Sequence, residues 1–164
     1  MRIDLKQLFD IPGERYPIQV QVNMTDIALW GRKPFSRPVQ VEGEIVNTAG
    51  VVTIHYQAKT VMDIVCDRCL AESRRAYEGA FTHGLVRNLC DEENDDYIVV
   101  EDGFLDLDGL VTEDITLEMP IQMLCREDCK GLCPQCGADR NKGDCGCKKP
   151  GDPRFDVLND LLRS

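Results

Sequence analysis

Hydrophobic and polar residues alternate over much of the first hundred positions, and the period of the pattern changes once. Ile18, Val20 and Val22 are interleaved with Gln19, Gln21 and Asn23 after Pro17, which is the period-two signature of a half-buried strand. Val39, Val41 and Ile45-Val46 then lead into the turn-forming set Asn47-Thr48-Ala49-Gly50. Val52, Ile54, Tyr56 and Ala58 repeat the pattern on the far side, so the spacing predicts a long β-hairpin. Further strands are expected from Val61 to Val65, ending at Cys66-Asp67-Arg68-Cys69-Leu70, over residues 74–86, and over residues 97–100. Trp30-Gly31-Arg32-Lys33-Pro34 reads as a loop with its tryptophan partly buried.

From Leu107 the period becomes helical. Leu107, Leu110, Val111 and Ile115 form an apolar stripe beside Asp114 and Glu118, with Asp106 or Asp108 as the cap and Pro120 as the stop. A closing helix is expected near the end, capped by Asp152 with Pro153 in its first position and Phe155, Leu158, Leu161 and Leu162 on one side. The expected class is α+β: a mainly antiparallel, barrel-like β-sheet, then a helix, a zinc-ribbon-like segment and the closing helix. The expected division is a β-rich domain over 1–118 and a cysteine-rich segment with its helix over 119–164, packed on the first.

Composition narrows the function classes. With 43% hydrophobic and 29% charged residues among 164, the chain has the balance of a soluble globular protein, and no apolar run is long enough for a membrane helix. The opening Met1-Arg2-Ile3-Asp4 has no export signal, so a cytoplasmic location with reduced thiols is expected. The net charge of −10 comes entirely from residues 76–118, which hold 13 acidic side chains and one basic. Within it, residues 91–96 read as a solvated acidic loop. Such a chain is not a generic polyanion binder.

Nine cysteines carry the candidate chemistry. Eight of them fall in pairs one to three residues apart, the spacing of metal chelation rather than of disulfides. Cys90 is the odd one, read as an incidental thiol. Cys133-Pro134-Gln135-Cys136-Gly137 has the form of a zinc knuckle, and with Cys145 and Cys147 it makes one four-thiolate site. Cys66 and Cys69 with Cys125 and Cys129 make a second, reaching across more than fifty residues of chain. The alternatives are a single zinc with the remaining thiols free, a redox pair, or an iron–sulfur cluster. Four thiolates leave no open coordination position, so both sites read as structural. His55 and His83 read as surface or satisfied core histidines. No phosphate-cradling glycine loop, nucleophile elbow or His-Glu-x2-His helix occurs, so neither an enzyme nor a small-molecule substrate is expected.

The cysteine segment also carries a resemblance. Pro120-x4-Cys125-x3-Cys129-Lys130-Gly131-Leu132-Cys133-Pro134-x-Cys136-Gly137, then Asn141, Cys145-x-Cys147 and Asp152-Pro153-Arg154-Phe155, resembles the C-terminal signature of the YceD family, the bacterial large ribosomal RNA subunit accumulation proteins. Cys66-Asp67-Arg68-Cys69 and the Glu113–Pro120 segment are similar to elements of the same family. The resemblance implies a cytoplasmic factor in the accumulation of 23S rRNA. Its partners would be a large-subunit rRNA precursor and a basic large-subunit ribosomal protein.

Arg126, Lys130, Arg140, Lys142, Lys148 and Lys149 are then the candidates for phosphate contact. The competing role for them is to balance the thiolates and keep the surface soluble. The acidic segment would repel RNA and attract a lysine-rich protein, so an adaptor between the two is expected. A thiol- or zinc-based redox sensor and an rRNA-processing enzyme are the rival readings.

Overall fold

The computed structural model describes residues 1–88 and 97–147; Cys90, the acidic run 91–96, Lys148, Lys149 and the expected closing helix lie outside the described residues. The strands and α-helices of the described residues follow in chain order: β1 (Arg2–Asp4), α1 (Lys6–Asp10), β2 (Arg15–Val22), β3 (Val39–Thr48), β4 (Val51–Val65), β5 (Glu72–Val86), β6 (Tyr97–Val99), β7 (Phe104–Asp106) and α2 (Leu107–Glu118). Strands β2 to β6 make one five-stranded sheet in sequence order, antiparallel except for the β5–β6 pair. β1 and β7 form a separate antiparallel pair.

The sheet is open rather than barrel-like, with β2 and β6 at opposite edges. Its apolar face has another cover. Ile45, Ile54, Tyr56 and Met62 share one buried core with Leu107, Val111 and Ile115 of α2 and with Leu5 and Leu8 near α1, so burial does not require the edges to meet.

The expected hairpin forms, but its second strand is longer than the spacing suggested. Burial continues at every second residue from Val52 through Ile64 without a change of phase, so the segment expected as a separate strand from Val61 is the far half of β4. The turn is a two-residue type: Ala49 and Gly50 have φ of 54° and 93°, matching the twist of the paired strands. Asn47, wholly buried, holds it there. Its Oδ1 accepts the Gly50 N–H (2.9 Å), and its Nδ2 donates to the Leu8 carbonyl at the end of α1 (2.7 Å). Gly43 is required where β3 crosses β4, because a Cβ there would collide with the His55 carbonyl and the Tyr56 backbone.

The helix is pinned by polar groups as well as by its apolar stripe. Asp114 turns inward, accepting from the Tyr56 hydroxyl and pairing with His83 Nε2 at 2.7 Å, while Glu118 accepts from the Tyr77 hydroxyl. Burial, reinforced by these carboxylates, pushes both phenols well above their ordinary range. His83 is thus a satisfied histidine, and His55 bonds Thr82 on the exposed face at 2.9 Å. Asp106 stands at the N-cap but makes no side-chain capping bond, whereas Asp108 lies in the first turn, where the helix dipole favours an acid. Pro120 follows an extended Met119 and ends the helix. No helix among the described residues is long and apolar enough to cross a membrane.

The tryptophan loop departs from expectation. Leu29 and Arg32 exchange backbone hydrogen bonds of 2.8 and 3.0 Å, leaving Trp30 and Gly31 as a two-residue tip with φ of 49° and 77°. At that tip the indole is 57% exposed, not partly buried. A bulky residue in the left-handed region carries strain of about 1–3 kcal/mol.

Replacing Asp114 by Ala should strand the Tyr56 hydroxyl and His83 under the helix. A loss of about 1–3 kcal/mol in urea unfolding is expected, and wild-type stability in that variant would show that the polar brace contributes nothing.

Candidate metal centre

Strand β4 delivers Cys66 to its end, and the chain turns at once. Leu70 N–H donates to the Cys66 carbonyl and Cys66 N–H to the Ala71 carbonyl, both at 2.9 Å, with Leu70 in the left-handed region at φ 59°. The same loop recurs at Cys133: Gly137 N–H reaches the Cys133 carbonyl at 2.9 Å, Cys133 N–H reaches Ala138 at 2.8 Å, and Gly137 has φ 72°. Each Cys-x2-Cys is therefore a tight knuckle that points two sulfurs the same way.

The knuckles complete two groups of four, Cys66 with Cys69, Cys125 and Cys129, and Cys133 with Cys136, Cys145 and Cys147. Within each group all sulfurs lie within 4.8 Å of one another. These are the same foursomes into which the spacing divides them. In the first, Sγ atoms of Cys66 and Cys129 are 3.7 Å apart, as are those of Cys69 and Cys125. A disulfide would hold them at about 2.05 Å. A tetrahedral ion with metal–sulfur bonds of about 2.3 Å has sulfur–sulfur edges of about 3.8 Å, so the donor set fits such an ion.

The electrostatics point the same way. Burial opposes ionisation of Cys66, yet the backbone amides of Cys125, Cys69 and Arg68 facing its sulfur bring the thiol down to about 6. The amides of Cys136 and Gln135 bring Cys133 down to about 6 as well. Burial and the neighbouring sulfurs push Cys125 up to about 12, and Cys136 with Cys145 pushes Cys147 up to about 12. Each group thus pairs a thiol whose ionisation is favoured, Cys66 or Cys133, with thiols whose ionisation is opposed, Cys69 and Cys125 or Cys145 and Cys147. A divalent cation is what allows four such anions to coexist.

Asp67, Arg68 and Asn141, to which the sequence motifs assigned no role, tie the halves of the first group together and the second segment to it. Asp67 clasps residue 123 twice: its own N–H donates to the Met123 carbonyl (2.8 Å) and its carboxylate accepts the Met123 N–H (2.7 Å). Arg68 donates to the Cys129 carbonyl (3.1 Å), and its own carbonyl accepts the Leu132 N–H (3.0 Å). Asn141, lying between Cys136 and Cys145, donates to Cys129 Sγ (3.4 Å) and accepts the Lys130 N–H (2.8 Å). The first group therefore spans the division expected at residue 118, and the second leans on it. Their polar types and position inside the cysteine pattern were the available signal; their partners were not.

The candidate phosphate-binding residues are less uniform than their charge. Arg126 is drawn to Asp128 (3.3 Å) and Asn141 (2.9 Å), and Lys142 stands 3.9 Å from Asp139. Lys130 is exposed and Arg140 half-buried. Lys148 and Lys149 lie outside the described residues.

Both knuckles, the Asp67 and Arg68 links and Asn141 fall within residues 54–162, the stretch matched by the family model described as Large ribosomal RNA subunit accumulation protein YceD. The chain belongs to the YceD family. Among curated relatives, the uncharacterized protein YlbN of Bacillus subtilis is 28% identical, covering 99% of this chain and 97% of its own length. An uncharacterized protein of Mycobacterium tuberculosis is also 28% identical, covering 99% of this chain and 81% of its own length. The chloroplastic large ribosomal RNA subunit accumulation protein YCED homolog 1 of Arabidopsis thaliana is 26% identical over 78% of this chain and 50% of its own length. No solved structure matches the chain.

Gly131, at φ 69° and with the Arg68 carbonyl 2.9 Å from where a Cβ would stand, should not tolerate Ala. The Gly131→Ala protein is expected to lose about 1–3 kcal/mol, read as a fall in thermal midpoint accompanied by faster exchange of the Leu132 amide. Unchanged exchange there would mean that the two knuckles are not joined through this contact.

Proposed function

We propose that this protein is a non-enzymatic, cytoplasmic factor for large-subunit ribosome assembly that supports accumulation of 23S rRNA, built on two structural zinc ions. The observation that carries the reading is the match of residues 54–162 to the family named for large ribosomal RNA subunit accumulation, a stretch that contains all eight grouped cysteines. One zinc in each group supplies rigidity, on the order of 10–16 kcal/mol of apparent binding free energy at neutral pH. Residues 124–147 need it: the buried hydrophobic side chains there are Cys129 and Cys133, which is too little apolar surface to fold the segment.

As an adaptor, the protein would turn the cation-bearing metal segment (Arg126, Lys130, Arg140, Lys142, with Lys148 and Lys149) toward rRNA. Its acidic part would face a basic ribosomal protein, by charge complementarity. A second reading, a thiol- or zinc-based sensor, is favoured by the exposure of Cys136 and Cys147, since exposed thiolates are the ones oxidants and competing chelators reach.

Native mass spectrometry of the reduced protein should find two zinc ions per chain. A chelator should remove that of the exposed group first and that of the buried Cys66 group only later; one ion, or none, would overturn the two-site scaffold. Co-sedimentation with large-subunit precursors at low salt tests the adaptor, and absence of any association with precursors, rRNA or ribosomal proteins would sink it. Metal loss under mild oxidant without unfolding would favour the sensor instead.

A further inference from the structure

We propose that Trp30 is a stacking platform for a base of single-stranded RNA, with Arg32, Lys33 and Arg37 meeting the adjoining phosphates. The proposal rests on the rRNA-contact reading above but places a contact on the loop of residues 30–37 rather than on the cysteine-rich segment.

Three independent features converge on this loop. The first is cost without burial. A large aromatic residue is held in the left-handed region (φ 49°) and yet leaves its indole 57% exposed, so neither backbone preference nor core packing accounts for it. The second is anchoring. Phe35 is buried and bridges to Met62, and the Asp63 N–H donates to the Pro34 carbonyl at 2.9 Å. Arg32 donates to the Val65 carbonyl at 2.9 Å. The stem is therefore fixed to the end of β4 while the tip projects, which is the preorganisation a stacking surface requires.

The third is charge and shape. In a protein of net charge −10, residues 30–37 hold three cations and no acid. Beside the indole a cavity of about 660 Å³ opens between this loop and Ile121–Met123. The acids that line it are engaged, Asp67 by the Met123 N–H and Arg32, and Asp63 by Arg74 at 3.0 Å; Lys33 in turn meets Asp26 at 3.1 Å, a solvent-exposed pair of the weak kind that a phosphate can displace. An aromatic face beside a cation-bearing loop, over an apolar floor, is how single-stranded nucleic acid is held without sequence readout. An acidic peptide is the other polymer that such charge would admit, and the experiment separates the two.

Trp30 is the chain's one tryptophan, so its emission reports directly on what covers it. The zinc-loaded, full-length protein is titrated at low salt with a dodecamer of uridine and, separately, with a glutamate-rich peptide containing leucines. The expected result is saturable quenching by the RNA, weakened by added salt, with affinity falling about tenfold in Trp30→Ala and less in Trp30→Phe. A Lys33→Ala/Arg37→Ala variant should bind more weakly with a shallower salt dependence. RNA binding by wild type that leaves the emission unchanged, or that Trp30→Ala does not weaken, overturns the proposal while leaving the rRNA reading standing, and variants at Arg126 and Lys130 then locate the contact. Quenching by the peptide alone assigns the groove to a protein partner and overturns it as well. No RNA binding by any variant removes both the platform and the RNA side of the adaptor.

Discussion

Among the described residues, the segment that follows α2 is organised around four thiols that arrive from two distant stretches of chain. Cys66 and Cys69 sit at the end of the longest strand pair, Cys125 and Cys129 follow the helix, and their sulfurs meet within 4.8 Å. The apolar material around them is slight: the buried members of that small cluster are the cysteines Cys66, Cys69 and Cys129, with Leu124, Cys125 and Leu132 packed against them. Hydrophobic burial is the usual source of cohesion, and here the clustered thiols take the place that apolar side chains would otherwise fill. The long-range hydrogen bonds of Asp67, Arg68 and Asn141 lie beside the grouped sulfurs and tie the same stretches of chain together. The second knuckle has little to rest on unless the first is closed.

The sheet and helix supply the frame against which that closure is made. β4 runs without a break from the Asn47 turn to Val65, so the apolar face that packs on α2 and the knuckle at the strand end belong to one rigid element. The helix is seated by Val111 and Ile115 and also by Asp114 and Glu118, which reach across to Tyr56, His83 and Tyr77. Such a polar brace fixes the helix's rotation and position more narrowly than apolar packing alone, because hydrogen bonds are directional. The result is that Met119 and Met123, just past the helix, enter the main core and present the following cysteines to the waiting knuckle.

The surface follows from the same arrangement. Cations gather around the loop of residues 30–37 and along the metal segment, while acids line α2 and the strands beside it, including Glu78, Asp108, Glu113 and Glu118.

Much of this was legible from residue order because it is local. Period-two alternation marks β2 to β5 and period 3.6 marks α2, since a strand and a helix each repeat their buried face at a set interval. The eight cysteines announce two four-thiolate groups because chelation needs close pairs. What residue order could not carry was settled by partners far away in the chain. β1 becomes a strand only by pairing with β7, and α1, five residues long, is held by Asn47 from the hairpin turn. β4 is one strand because Met62 and Ile64 find the same core as Ile54, and the sheet stays open because α2 covers its face. Trp30 is exposed because Leu29 and Arg32 pair beneath it. The kinds of element and the metal-binding chemistry are thus local properties of the sequence; edges, registers and which polar groups turn inward are decided only when distant segments compete for the same buried surface.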